Sequence, residues 1–135
     1  MKAIICGALM ALTITAATAA DEDLNSANFI LPYCRLTETE LLMAKPPEAL
    51  FRGHCFGVVT GVRLTLDAMR TAQVLGTAKL DPVLCAAIPD NAPIQRLINV
   101  VVRYAETHPE QMRESLGKLA IIAFHQAWPC PKITK

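Results

Sequence analysis

The sequence lacks an excess of either charge: Lys and Arg number 13 against 12 Asp and Glu, a net charge of +1 at neutral pH. Nucleic-acid binding draws its affinity from clustered lysines and arginines that displace counterions, and no such cluster occurs, so no nucleic-acid partner is expected. Past the N-terminus there is also no apolar run of the roughly 20 residues that span a bilayer. Cys-x-x-Cys and His-x-x-x-His spacings are missing, which leaves His54, His108 and His125 without a zinc pattern; no metal or cofactor is expected. No glycine-rich phosphate loop follows a strand, and no segment alternates apolar and polar residues as a half-buried strand does.

Catalytic constellations are missing too. Asp67, Asp81, Asp90, Glu106, Glu110 and Glu114 are scattered, and no two are spaced as a general acid and base. The one adjacent nucleophile and base, Cys55 and His54, fall about 100° apart on a helix, so adjacency does not aim the imidazole at the sulfur. The chain is therefore expected not to be an enzyme.

What is present begins with Met1-Lys2, an apolar run from Ala3 to about Ala16, and Ala17-Thr18-Ala19-Ala20 before Asp21-Glu22-Asp23. A basic start, a short apolar stretch and a small-x-small site are the parts of a secretory signal. Residues 1–19 are expected to be that signal, cut near Ala19, and residues 20–135 one exported domain without membrane insertion. Cys6 leaves with the signal. Cys34, Cys55, Cys85 and Cys130 remain, an even set that in an oxidising compartment implies two disulfides. Three pairings are open. A bridge from Cys55 to Cys85 would be worth roughly 3.5 kcal/mol by loop entropy, and its complement, Cys34 to Cys130, would tie the first helix to the last.

Helical periodicity dominates the mature chain. Ser26 offers an N-cap for a helix over Ala27 to Arg35, strained by Pro32 unless that residue falls in the first turn. Thr37-Glu38-Thr39-Glu40 restarts a helix, and Pro46-Pro47 stops or re-caps it. A long helix follows from about Glu48 to Gln73. Gly53, Gly57 and Gly61 lie four apart on one face of it, a stripe that predicts core packing against another helix or a dimer seam. Leu75 to Asn91 is rich in breakers and reads as a loop long enough to bind something. Pro93 fits the first turn of a helix through Ala105, and Pro109 the first turn of a last one carrying Met112, Leu116, Leu119, Ala120 and Ala123 on one face. The fold class is all-α, a small bundle of four to five helices with two disulfides.

Several segments, taken in order, resemble a known family. Gly53-His54-Cys55-Phe56-Gly57-Val58-Val59-Thr60-Gly61-Val62 is similar to its Cys-x-Gly-Tyr segment with a Gly-Val step, and Ile88-Pro89 to its Cys-Ile-Pro element. Leu97-Ile98-Asn99-Val100-Val101-Val102-Arg103-Tyr104, Glu106-Thr107-His108-Pro109-Glu110 and Ala127-Trp128-Pro129-Cys130-Pro131 complete the set. From Asn25 to Pro131 the chain resembles the Rap/Tai family of type VI secretion immunity proteins. Val58 stands where the family has Tyr, Ala86-Ala87 separate Cys85 from Ile88-Pro89, and the aspartate usual after the Gly-Val step is missing near Arg63-Leu64. The resemblance implies a periplasmic helical homodimer that binds a peptidoglycan amidase toxin and blocks its cleft. It further implies that Cys85, from a shifted loop, still reaches Cys55. The implied contact loop runs from Leu80 to Asn91 with Asp81, Asp90 and Asn91, and Arg96 and Arg103 as rim contacts. An acid-stress type of helical periplasmic chaperone, or an envelope protein of this fold without a toxin partner, are the alternatives.

Overall fold

The computed structural model describes residues 23–79 and 81–131. The expected signal, its cut near Ala19 and Leu80 lie outside them. Five helices follow one another: α1 (Ala27–Cys34), α2 (Glu38–Met43), α3 (Pro46–Val74), α4 (Ile94–Thr107) and α5 (Leu116–Ala127), with 3-10 turns at Pro82–Leu84 and Pro109–Gln111. No strand occurs among the described residues.

The caps explain the helix starts. The Phe29 amide donates to Ser26 Oγ at 3.3 Å, and the Lys118 amide to Ser115 Oγ at 3.3 Å, placing Ser26 and Ser115 as the N-caps of α1 and α5. At α2, the Glu40 amide donates to Thr37 Oγ1 and the Thr37 amide to Glu40 Oε2, a reciprocal capping box. The Thr37 amide, and after it the Thr37 hydroxyl, hold the Glu40 carboxyl below the usual carboxylate range. A depressed folded pKa means that this cap is intact above the unfolded value and is lost as pH falls through the folded one. At the other end of α3, Gly76 has φ +72°, with the Thr77 amide on the Ala72 carbonyl at 2.9 Å and the Gly76 amide on that of Gln73 at 3.0 Å. This is a Schellman ending, and glycine takes the left-handed position without a Cβ penalty.

Three sequence expectations change. Pro32 sits in the second turn of α1, where it removes a helical donor. Tertiary contact offsets that loss, because Ala27, Ile30, Leu31 and Cys34 are all buried. Pro93 stands at the N-cap of α4, one residue outside the helix. The last helix does not begin at Pro109. The chain makes one 3-10 turn there, and residues 112–115 turn to face the start of α1. The Ala27 amide donates to Glu114 O and the Asn28 amide to Met112 O, each at 2.8 Å, and the Leu116 amide to Asn25 O at 2.9 Å. The first amides of a helix have no partner within it; here α1 takes its acceptors from this turn, and a helix continuing from Pro109 would withdraw them.

The 29-residue α3 is the central element, packed on α1, α4 and α5, and α4 packs on α5. Ile30, Leu31, Val59, Leu66, Leu97, Ile98, Val101, Leu116, Leu119 and Phe124 form one core, and where α1 meets α3 the Phe51 ring packs edge to face on Phe29 and tilted on Tyr33. The glycine stripe of α3 is not part of it. A Cβ built on Gly53, Gly57 or Gly61 would meet nothing within 4 Å, so the expected close packing against another helix of the same chain does not occur.

Phe124→Ala should cost about 3–5 kcal/mol and Ser115→Ala about 1 kcal/mol, read by urea unfolding of the oxidised protein. Thr37→Val, which removes the hydroxyl and keeps the amide, should return the Glu40 pKa part of the way toward its ordinary value, seen by NMR titration of the carboxyl.

Candidate functional site: an anchored loop beside an apolar groove

The breaker-rich segment between α3 and α4 is held at several independent points. Cys85 is bonded to Cys130, with Cα atoms 5.7 Å apart. Ala86 pairs with Pro129 as a short antiparallel bridge, and the Ala87 amide donates to Trp128 O at 2.7 Å. Ile88 is buried in the core. The Ala92 amide closes a turn onto Pro89 O at 3.0 Å. From α3, the Arg63 guanidinium spans the loop's far end, with Nη1 donating to Ala92 O at 3.0 Å and Nη2 to Asp90 O at 2.6 Å. Asp67 Oδ2 lies 3.5 Å from Arg63 Nε and steadies it from the next helical turn. Hydrogen bonds from a charged donor are roughly twice as strong as neutral ones, and the guanidinium's planar fork suits two carbonyls at once.

The disulfides are Cys34–Cys55 and Cys85–Cys130. The bridge from Cys55 to Cys85, with its complement from Cys34 to Cys130, does not form. The cause is topological. Cys34 ends α1 on the face that packs against α3, Cα to Cα 5.6 Å from Cys55, while the backbone pairing of Ala86 with Pro129 lays Cys85 beside Cys130. The two closed loops span 21 and 45 residues of separation and share none. By loop entropy they are worth about 3 and 4 kcal/mol, close to additive because they are neither nested nor interleaved.

The expected contact residues divide into two groups. Asp90 and Asn91 are exposed at the loop's end, and Arg96, one turn into α4, is exposed with its guanidinium 5.8 Å from the centre of the Trp128 ring. These lie together at the start of α4. Asp81 is on the other side of the Cys85 anchor, where its carboxylate accepts the Val83 amide at 3.0 Å and caps the 3-10 turn. Arg103 is exposed two turns further along α4. Of the remaining histidines, His54 is exposed next to the disulfide-bonded Cys55. His108 caps the end of α4, stacked on Tyr104 at 4.0 Å.

Sequence reasoning missed Arg63, whose only signal was Asp67 four residues on. It also missed that His125 donates Nδ1–H to Cys85 O at 2.8 Å, since a carbonyl can only accept. Behind that contact lies an apolar groove of about 940 Å³ between the end of α3, the Pro82–Ala87 stretch and Pro129–Pro131. Among the described residues, no three His, Cys, Asp or Glu side chains are placed to hold a metal, and no helix is long and apolar enough to cross a membrane.

Arg63→Ala should destabilise the fold by about 1.5–3 kcal/mol and raise hydrogen exchange at the Ala92 amide more than at Val101, in the core of α4. Unchanged protection at Ala92 would mean that Arg63 does not hold the loop.

The family model described as Rap1a immunity proteins matches residues 26–130. No curated protein and no solved structure matches the chain. The matched span starts at the N-cap of α1, ends at the second cysteine of the Cys85–Cys130 bridge, and so takes in all five helices and the anchored loop: the chain belongs to the Rap1a immunity protein family.

Proposed function

We propose that this chain is an exported immunity protein that loses residues 1–19, resides in the periplasm, and binds and inhibits a type VI secretion peptidoglycan amidase effector by obstructing its cleft. Family membership supports the immunity role. The observation that carries the mode of action is the loop over residues 85–92: disulfide, backbone bridge, buried Ile88 and Arg63 fork hold it, while Asp90 and Asn91 stay exposed. A surface ordered before binding avoids the entropy that a mobile loop would lose on contact, and the gain appears as a slow off-rate. Inhibition of this kind needs no reacting group on the inhibitor. Asp90, Asn91 and Arg96 form the proposed contact edge, and Asp81 flanks it.

The homodimer is proposed on the outer face of α3. Leu50, Gly53, Gly57, Gly61 and Leu64 share that face, all exposed, with the two leucines at 69% and 61%. The stripe carries no charge, and glycine costs about 1 kcal/mol per position in a helix interior. A second copy of α3 packed backbone to backbone would recover that cost.

Co-expression in the periplasm with a type VI peptidoglycan amidase that it protects against should relieve lysis and give a stable complex on a sizing column, and Asp90→Arg should weaken that complex at least tenfold. Unrelieved lysis with no complex would refute the amidase reading. Separately, Gly57→Leu should give monomers by sedimentation with unchanged far-UV dichroism; a persisting dimer would place the seam elsewhere.

A further inference from the structure

The groove of about 940 Å³ is not used by the proposed contact edge. It lies at the upper end of the range of about 300–1,000 Å³ for small-molecule sites, which are mostly apolar with a few placed polar groups. Val74, Leu75, Pro82 and Pro131 supply apolar wall, and Val74 and Leu75 are 81% and 70% exposed. The walls are tied at three points. The Schellman turn fixes the end of α3, the Cys85–Cys130 bond joins the other two sides, and His125 on α5 is tied to Cys85 O.

Among the described residues, the ionisable side chains that line the groove are Arg70 and His125, and no carboxylate does. Arg70 has no ion-pair partner among the described residues. The main chain along this edge is already committed: the Ala87 amide to Trp128 O, the Cys85 amide to Pro82 O, and the Cys85 carbonyl to His125. An extended peptide added as a strand would find few free partners there, whereas an alkyl chain needs none. We propose that the groove binds an amphiphilic carboxylate, with its apolar chain along Val74, Leu75, Pro82 and Pro131 and its head group on the Arg70 guanidinium. An arginine and a carboxylate can pair through two parallel hydrogen bonds, and apolar surroundings strengthen the pair.

The molecule carries its own probe, since Trp128 is the single tryptophan and precedes groove residue Pro129. The oxidised protein is titrated with 12-bromododecanoate below its micellar concentration, following Trp128 quenching, with unbrominated dodecanoate, decanoate and dodecanol as competitors. Saturable quenching at one site per chain is expected, with dodecanoate competing roughly fifteenfold better than decanoate, as two buried methylenes imply. Dodecanol should compete at least fivefold more weakly than dodecanoate. Arg70→Gln should weaken binding at least fivefold at unchanged Tm, and Val74→Asp, at an exposed position where the fold is indifferent, should abolish it. Quenching that never saturates, or an affinity unmoved by both substitutions in folded protein, would overturn the proposal.

Discussion

The covalent link between Cys85 and Cys130 is the constraint on which the anchored loop of this molecule depends. Cys85 lies in a stretch whose glycine and prolines forbid a helix, and Cys130 follows the end of α5. Without the bond, the backbone of the loop and of the C-terminal segment would be joined by a short pairing at Ala86 and Pro129. A two-residue bridge of that kind is marginal in water, since even an isolated hairpin barely holds. With the bond in place, the pairing becomes local: the Ala87 amide finds Trp128 O, His125 finds Cys85 O, and Ile88 is delivered to the core three residues later. Each contact is modest alone, but each begins from a conformation the disulfide has already restricted.

The second constraint is α3, which serves three purposes by having three faces. Cys55, Val59 and Leu66 face the core and the bridge to α1. Arg63 and Asp67 lie on a flank that reaches the loop's far end. Gly53, Gly57 and Gly61 face outward. A helix of 29 residues is long enough to keep these jobs apart along its length, and its rigidity relates the loop to the outer stripe. Substitutions on one face therefore need not disturb another, provided the core face keeps its packing.

Much of this was legible before any coordinates. Helix period, the Ser26 cap and proline positions located α1, α2 and α3 to within about two residues, because each rests on local chemistry, as Ser26 does on its own third neighbour. The errors share a different cause. The start of α5 depends on amides of α1 that are some 85 residues away, about which Pro109 and Met112 carry no local trace. The disulfide pairing depends on which elements pack together, and loop entropy alone ranks the options too closely to choose among them. Arg63 looked like an ordinary charge on a helix because its partners are backbone carbonyls, and any sequence offers those. Asp90, Asn91 and Arg96 do come together, since seven consecutive positions at a helix start cannot be far apart, whereas Asp81 is separated from them by the Cys85 anchor.

An inhibitor that works by obstruction, as proposed for this chain, faces a requirement that an enzyme does not. Its contact surface must be polar enough to remain exposed alone and stiff enough to lose little entropy on contact. The chain meets both by separating exposure from support. Asp90 and Asn91 present side chains to solvent, while the carbonyls on either side, those of Asp90 and Ala92, are held from beneath by one guanidinium. The support lies in the main chain, which tolerates a change of side chain at the tip. Loops of this design can change partner by substitution at exposed positions while Arg63, Ile88 and Cys85 remain, so altered specificity need not carry a loss of stability.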